Sequence, residues 1–164
     1  MAQESSTTGL AVAPTRLAVA QGRIDRARFD AAVFPSVMDL QIRFDDLDLL
    51  SHVNNVAIIA LLQEARVHFN RAMPMPAVGD GLRTVVGGML VEYGIELTYP
   101  GTVQISTGII AIGRTSYTFG QMIRQGGKGA VYSQITMVVT DASGPAAIPD
   151  LFRSSIAEHG LIRD

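Results

Sequence analysis

From Met89 to Asp141 the chain reads almost without interruption in period two, and a stretch of that length that alternates cannot be helical. Met89, Val91, Tyr93, Ile95, Leu97 and Tyr99 alternate with Leu90, Glu92, Gly94, Glu96 and Thr98, which predicts one long half-buried strand over 89–99. Pro100-Gly101 predicts a turn. Three further strand-like runs follow, Thr102 to Gly113, Ser116 to Gln125 and Ala130 to Asp141, separated by Gly-Arg-Thr and Gly-Gly-Lys-Gly. Connections this short join neighbouring strands antiparallel, so the predicted unit is a meander.

A sheet must bury a face, and one segment supplies the cover. Val56-Ala-Ile-Ile-Ala-Leu-Leu62 is apolar on every side and continues through Gln63 to Pro74, predicting a helix of about 18 residues, roughly 27 Å long. An all-round apolar first half predicts that the sheet wraps this helix, making it central. Upstream, Ile24 to Ala32 reads as one or two helical turns capped by Asp25, ended by Pro35 ahead of a strand over Ser36 to Phe44. Pro149 to His159 reads as a short helix with Pro149 near its first turn. Residues 1–22, small and polar and broken by Gly9 and Pro14, are expected to be a flexible extension, with 23–164 a single domain. The fold class is therefore α+β, two layers around one core.

Composition removes several functions. Thirteen basic residues are spread from Arg16 to Arg163 without a run and the net charge is -2, so no electrostatic footprint for nucleic acid or an anionic membrane exists. The absence of cysteine excludes thiolate nucleophiles, thiolate zinc sites and iron–sulfur ligation, leaving oxygen or water as any nucleophile. Gly87-Gly88 and Gly126-Gly127 lack the following helix that a phosphate loop needs. No window approaches 18 uninterrupted apolar residues and the first residues lack a secretory pattern, so a cytoplasmic location is expected. A charged fraction of only 17% leans toward an oligomer that buries surface.

The chemistry concentrates in Arg43-Phe-Asp-Asp-Leu-Asp-Leu-Leu-Ser-His-Val-Asn-Asn55, charge packed directly ahead of the apolar helix. A carboxylate and an imidazole at a helix N-terminus sit where backbone N–H groups and the helix dipole stabilise developing negative charge, as acyl transfer requires. Asp48 reads either as the reacting carboxylate or as a helix cap. His52 can orient Asp48 or water or bind an acyl carbonyl, or it is a satisfied histidine at the helix entrance. Of the two amides, Asn54 suits the cap and Asn55 a substrate pocket. Asp45 and Asp46 tempt a metal reading, but adjacent acids on an extended chain point opposite ways, so no metal is expected. Arg43 is expected to pair with one of these acids.

The element order joined to Arg43-Phe-x-Asp-x-Asp48-x-x-x-His52-Val-Asn-Asn55 resembles the hot-dog fold acyl-CoA thioesterases, in particular the 4-hydroxybenzoyl-CoA thioesterase-like branch. Gln63-Glu-Ala-Arg66, Tyr99-Pro-Gly101, Gly113-Arg-Thr-Ser116 and Ile148-Pro-Asp150 look like that family's landmarks in its order. The resemblance covers roughly residues 36 to 152. It implies a long central helix wrapped by a curved antiparallel sheet, pairing into a homodimer or dimer of dimers, with an acyl-CoA substrate and no cofactor. It also implies that Asp48 is the catalytic carboxylate, as general base or nucleophile, with His52 beside it. In the related plant acyl-carrier-protein thioesterases an asparagine two residues past the aspartate takes part, and Leu50 stands there. A glycine usually precedes the histidine, and Ser51 stands there; a tyrosine common in the following helix is replaced by Ile58.

Ile58, Ile59, Leu61 and Leu62 are expected to divide between an acyl slot and the core. Arg114, Arg124 and Lys128 are turn cations that either touch CoA phosphates or are solvated, and Arg114 is the one retained for substrate binding. Glu64 lies about 15 Å along the helix from Asn54. It is an outside catalytic candidate, since a helix glutamate serves another hot-dog branch; otherwise it forms a buried ion pair with Arg66 or Arg114. A hydroxyacyl dehydratase or hydratase on the same fold, and a non-catalytic acyl-CoA binding protein, are the alternatives.

Overall fold

The computed structural model describes residues 22–73 and 81–163. Apart from Gly22, the extension expected over 1–22 lies outside the described residues. In chain order the elements are α1 (Arg26–Ala31), β1 (Ser36–Gln41), a 3-10 turn (Phe44–Asp46), α2 (Asn55–Ala72), β2 (Arg83–Tyr93), β3 (Thr102–Ile112), β4 (Ser116–Gln125), β5 (Lys128–Asp141), β6 (Gly144–Pro145) and α3 (Asp150–Ser155). The sheet order is β1-β3-β4-β5-β2, antiparallel throughout, with β6 adding a two-residue strand against β5. This is the expected α+β architecture, an antiparallel sheet closed over one long helix.

The odd positions of β4 and β5 face α2. Ile123, Val131, Val103 and Ile105 meet Ile58, Leu61, Leu62 and Ala65 in one cluster, and Phe119, Ile135 and Ile109 meet Phe69 and the α3 residue Phe152 in a second. The opposite face is covered by the segment carrying α1 and by the chain end. Phe29, Phe34 and Ile162 pack there on Ile110, Met122 and Tyr132. That cover sits flush because Gly108 and Gly120 pair across β3 and β4, and a Cβ on either would collide with Ile162, and with Pro35 or Ile110. Val33 and Arg163 lock it with reciprocal backbone hydrogen bonds of 2.8 and 2.9 Å.

Several expected bounds move, each for a local reason. β1 stops at Gln41 rather than Phe44, because Arg43 to Asp46 closes into the 3-10 turn. The long strand runs over 83–93, not 89–99. Beyond Tyr93 the N–H groups of Gly94 and Ile95 both turn to the Ala130 carbonyl, and Thr98 is held by the side chain of Gln125 rather than by a strand. Of the last three apolar residues of the alternation, only Leu97 is buried. α3 ends at Ser155 and widens into a π turn over Ile156–Gly160, and Pro149 is its cap.

The curled sheet wraps the inner side of the helix, as expected, and leaves its outer face open. Val56 is 71% exposed and Val67 43%, and with Ala60, Gln63 and Glu64 they form an outward stripe. A single curled sheet shields about half a helix circumference, so the residues at i, i+4 and i+7 on the far side have nothing to pack on.

Candidate active site

The loop ahead of α2 is a closed system of short backbone bonds. Asp48 N–H donates to the His52 carbonyl at 2.8 Å, Ser51 N–H donates to the Asp48 carbonyl at 3.1 Å, and Asn54 N–H donates to the Asp46 carbonyl at 2.8 Å. The Asp48 side chain completes it. Its Oδ1 accepts from the N–H groups of Leu50 at 2.8 Å and His52 at 3.1 Å. Such a turn forces one residue into the left-handed region, and Ser51 takes it with φ of 63°. Position 51 is thus a backbone requirement, one that glycine meets without strain.

Asn54, not Asp48, caps the helix: its Oδ1 accepts from Val56 N–H at 2.8 Å. With the cap supplied by its neighbour, the Asp48 carboxylate is held, among the described residues, through Oδ1 alone. Arg43 pairs with Asp46 as expected, the Nη2 to Oδ1 distance being 3.1 Å, and the Arg43 N–H donates to Oδ2 at 2.7 Å. Burial works to raise the Asp46 carboxyl, but these Arg43 donors outweigh it and hold the group below its ordinary value. Asp46 is thereby a structural anion that anchors the loop. Among the described residues no group of three His, Asp or Glu side chains is arranged to hold a metal.

Asp48, His52, Asn55 and Ile58 line one cleft of about 450 Å³, closed on the far side by Tyr93 to Leu97. Across it the His52 Nε2 lies 3.3 Å from Glu96 Oε2. Asp48 also borders a second hollow of about 690 Å³, whose walls are Phe44, Leu47, Leu49 and Leu50 with Asn54. Leu49 and Leu50 are exposed, and the Phe44 ring meets Tyr99 edge-on with centroids 6.1 Å apart. Asp48 therefore borders both a mixed cleft and a more apolar one.

Other expected participants are not brought together with it. Arg114 lies in the turn between β3 and β4, where its carbonyl accepts from Ile148 N–H, and it does not line the cleft. Glu64 faces outward into a shallow groove with Val56, Val67 and Arg71. It forms no buried ion pair. Arg66 is instead buried under the sheet and donates from Nη1 to Gln121 Oε1 at 2.8 Å, and burial lowers its pKa to about 10. Of the helix residues expected in the slot, Leu61 and Leu62 are core, whereas Ile58 serves both core and cleft. Glu96 escaped the sequence reading, because in an alternating strand a glutamate reads as a solvent-facing residue and no spacing ties position 96 to position 52.

The comparisons with known proteins agree with this fold. No functionally curated protein matches the chain. Among solved structures it is similar to a thioesterase from Thermus thermophilus crystallised with coenzyme A and Zn, at 26% identity and a TM-score of 0.69, over 76% of this chain and 98% of that one. It is similar at 25% identity to a protein from Bacillus stearothermophilus described as a predicted thioesterase, with a TM-score of 0.70 over 78% and 97%. The DHNA-CoA thioesterase of Staphylococcus aureus shares the fold at 15% identity, with a TM-score of 0.65 over 73% and 84%. The family model that matches extends from residue 42, at the end of β1, to residue 156, past α3, and so takes in the Asp48 loop, α2 and every long strand: by that span the chain is a hot-dog fold member of the thioesterase-like superfamily.

Proposed function

We propose that the protein hydrolyses acyl-CoA thioesters to a carboxylate and free CoA, with Asp48 as the reacting carboxylate. The observation that carries the reading is the half-committed state of Asp48. Two backbone N–H groups fix its Oδ1, Asn54 relieves it of capping, and Asp48 lines a cleft at the N-terminus of α2. That arrangement pre-organises an oxygen without neutralising it.

A thioester needs little more. Its leaving thiol has a pKa of about 8.5 by analogy with cysteine, so it departs without strong acid assistance. In one route Asp48 takes a proton from water, the hydroxide oxygen bonds to the carbonyl carbon, the C–S bond breaks, and the proton goes to the thiolate. In the other, Oδ2 itself bonds to the carbonyl carbon, the thiolate leaves, and water hydrolyses the resulting anhydride. Negative charge on the carbonyl oxygen is stabilised by the α2 N-terminus and the Asn55 amide. Asn55, Ile58 and the apolar hollow beside Leu49 and Leu50 are assigned to substrate contact, with Asn54 on the rim of that hollow serving chiefly as the helix cap. Arg114 stays a candidate for CoA only through a second protomer.

Assembly as a homodimer or dimer of dimers belongs to this reading. β2 is the end strand of the sheet and exposes Val85, Val86 and Met89, which is an edge suited to pairing with a second copy. Sedimentation of wild type against Val86→Lys tests it, with a shift to monomer expected.

Free-thiol release from acetyl-, hexanoyl-, lauroyl-, palmitoyl- and benzoyl-CoA, compared with Asp48→Asn, tests the activity. Turnover of at least one ester, with a loss of 100-fold or more in folded Asp48→Asn, is expected. An Asp48→Asn protein as active as wild type refutes the assignment. One observation favours a second reading, a hydratase, since His52 and Glu96 supply a histidine with a partner acid. Hydration of a 2-enoyl-CoA in the absence of thiol release would put that reading first.

A further inference from the structure

We propose that Glu96 is a positioning residue for His52, fixing the imidazole across the cleft with its Nε2–H turned to the carboxylate and its Nδ1 left as a hydrogen-bond acceptor. The inference rests on the functional reading above for its meaning and on independent geometry for its substance. His52 Nε2 and Glu96 Oε2 are 3.3 Å apart, and both side chains line the same cleft as Asp48. They come from opposite walls, His52 from the loop before α2 and Glu96 from the connection between β2 and β3.

Each wall is held by its own backbone bonds, which set the two residues opposite one another across the cleft. His52 is fixed at the backbone by Asp48, through its N–H to Oδ1 at 3.1 Å and its carbonyl from Asp48 N–H at 2.8 Å. Glu96 stands between Ile95, whose N–H is on the Ala130 carbonyl, and Leu97, which is buried in the α2 cluster. The following Thr98 is clamped at both its N–H and its carbonyl by Gln125, at 2.9 and 2.8 Å. An ion pair whose side chains are 45% and 69% exposed contributes little stability. Its consequence is directional.

A carboxylate accepts only, so the Nε2 facing it must carry the proton, and a neutral imidazole has then one lone pair left, on Nδ1. This decides between the two roles open to His52. A histidine whose N–H is spent on Glu96 does not donate to the acyl carbonyl; it accepts from water or from a protonated group beside Asp48. The oxyanion donors are then left to the α2 N-terminus and Asn55. If His52 takes up a proton in a turnover step, Glu96 already faces the imidazolium and compensates its charge, which is the standard use of an orienting carboxylate behind a histidine.

The test uses Glu96→Ala, Glu96→Asp and Glu96→Gln in the full chain. Imidazole 15N spectra of the free protein at alkaline pH, above the ordinary imidazole range of about 6.5, with His52 assigned by its loss in His52→Asn, read the tautomer without any turnover. Wild type is expected to hold a single Nε2–H tautomer, and Glu96→Ala to show a mixture of both. In the hydrolysis assay kcat is expected to fall about 10-fold in Glu96→Ala with KM changed less than 2-fold, and Glu96→Asp to recover part of it. An Nδ1–H tautomer in wild type, or a spectrum unchanged in Glu96→Ala, overturns the proposal, as does an unchanged kcat in an enzyme that turns over. If wild type hydrolyses no ester, the functional reading falls while the nitrogen spectra still decide the Glu96 and His52 coupling.

Discussion

Asp48 and His52 hold each other in a closed loop: the backbone N–H of each donates to the other, Asp48 to the His52 carbonyl at 2.8 Å and His52 to the Asp48 carboxylate at 3.1 Å. The carboxylate proposed to react and the residue beside it are thus set by the same few backbone angles. The angle that closes the loop is the φ of 63° at Ser51. A side chain in that region costs about 1–2 kcal/mol, and glycine avoids this at the expense of about 0.4–1 kcal/mol of unfolded-state entropy. Ser51→Gly is therefore expected to leave stability unchanged or raise it by up to about 1 kcal/mol. Ser51→Val is expected to lower it by more than about 1 kcal/mol and to lower kcat, because a β-branched residue tolerates positive φ least. Urea midpoints at constant m, read beside kcat, check both.

The two asparagines divide cap from pocket, and their substitution should separate stability from activity. Asn54 Oδ1 accepts from Val56 N–H, whereas Asn55 lines the cleft. Asn54→Ala is expected to cost about 1 kcal/mol of stability. Asn55→Ala is expected to leave the denaturation midpoint nearly unchanged and to lower kcat/KM about 10-fold. Reversal of the two effects would show that the cap and the pocket residue had been exchanged.

How far the sequence carried depended on the range of the interaction. α2, β3, β4 and β5 were legible within a residue or two because apolar period and glycine turns are local signals. The cap at Asn54 and the Arg43 pairing were legible for the same reason, each being closed within three residues, whereas the bonds of the Asp48 loop were not foreseen. Residues 94–99 were misread as strand because their alternation survives while their hydrogen bonds go elsewhere, to Ala130 and Gln125, more than 25 positions away. Glu96 was missed on the same account. Glu64 is expected to pair with Arg66 or Arg114, but residues 64 and 66, two apart on a helix, point to different faces, and Arg66 turns to Gln121 in β4.

That buried pair gives a sharp energetic expectation. Gln121 is fully buried, accepts from Arg66, and donates to the Leu62 carbonyl and Thr107 Oγ1, both at 3.0 Å. Gln121→Leu leaves a guanidinium in the core without its acceptor and is expected to cost about 3 kcal/mol. Arg66→Met removes the charge as well as the bond and should cost less, about 1 kcal/mol. The double variant should then be less damaged than the sum, by a coupling of about 1–2 kcal/mol. Strict additivity in a double-mutant cycle would show that the two side chains do not interact.

Tyr117 supplies a pH dependence whose sign can be worked out in advance. Its ring packs edge-on against Phe119 and Phe152, and burial pushes its hydroxyl up to about 12 from 10.0. The unfolded chain loses this proton first as pH rises, so the unfolded state binds fewer protons than the folded one and stability falls. The contribution is fully present below pH 10, is reduced by about 1.4 kcal/mol at pH 11, and is lost as pH passes the folded value. Arg66 works in the opposite sense, since its depressed value means that the cost of burying its charge is relieved above about 10. Measuring wild type alone would mix the two. The difference between Tyr117→Phe and wild type isolates the tyrosine: urea unfolding at pH 8 and pH 11 should show the phenylalanine variant gaining about 1.4 kcal/mol relative to wild type over that interval. A difference that stays constant between the two pH values would mean that the hydroxyl titrates in the folded protein as it does in the unfolded one, and that burial of Tyr117 exerts no pull on it.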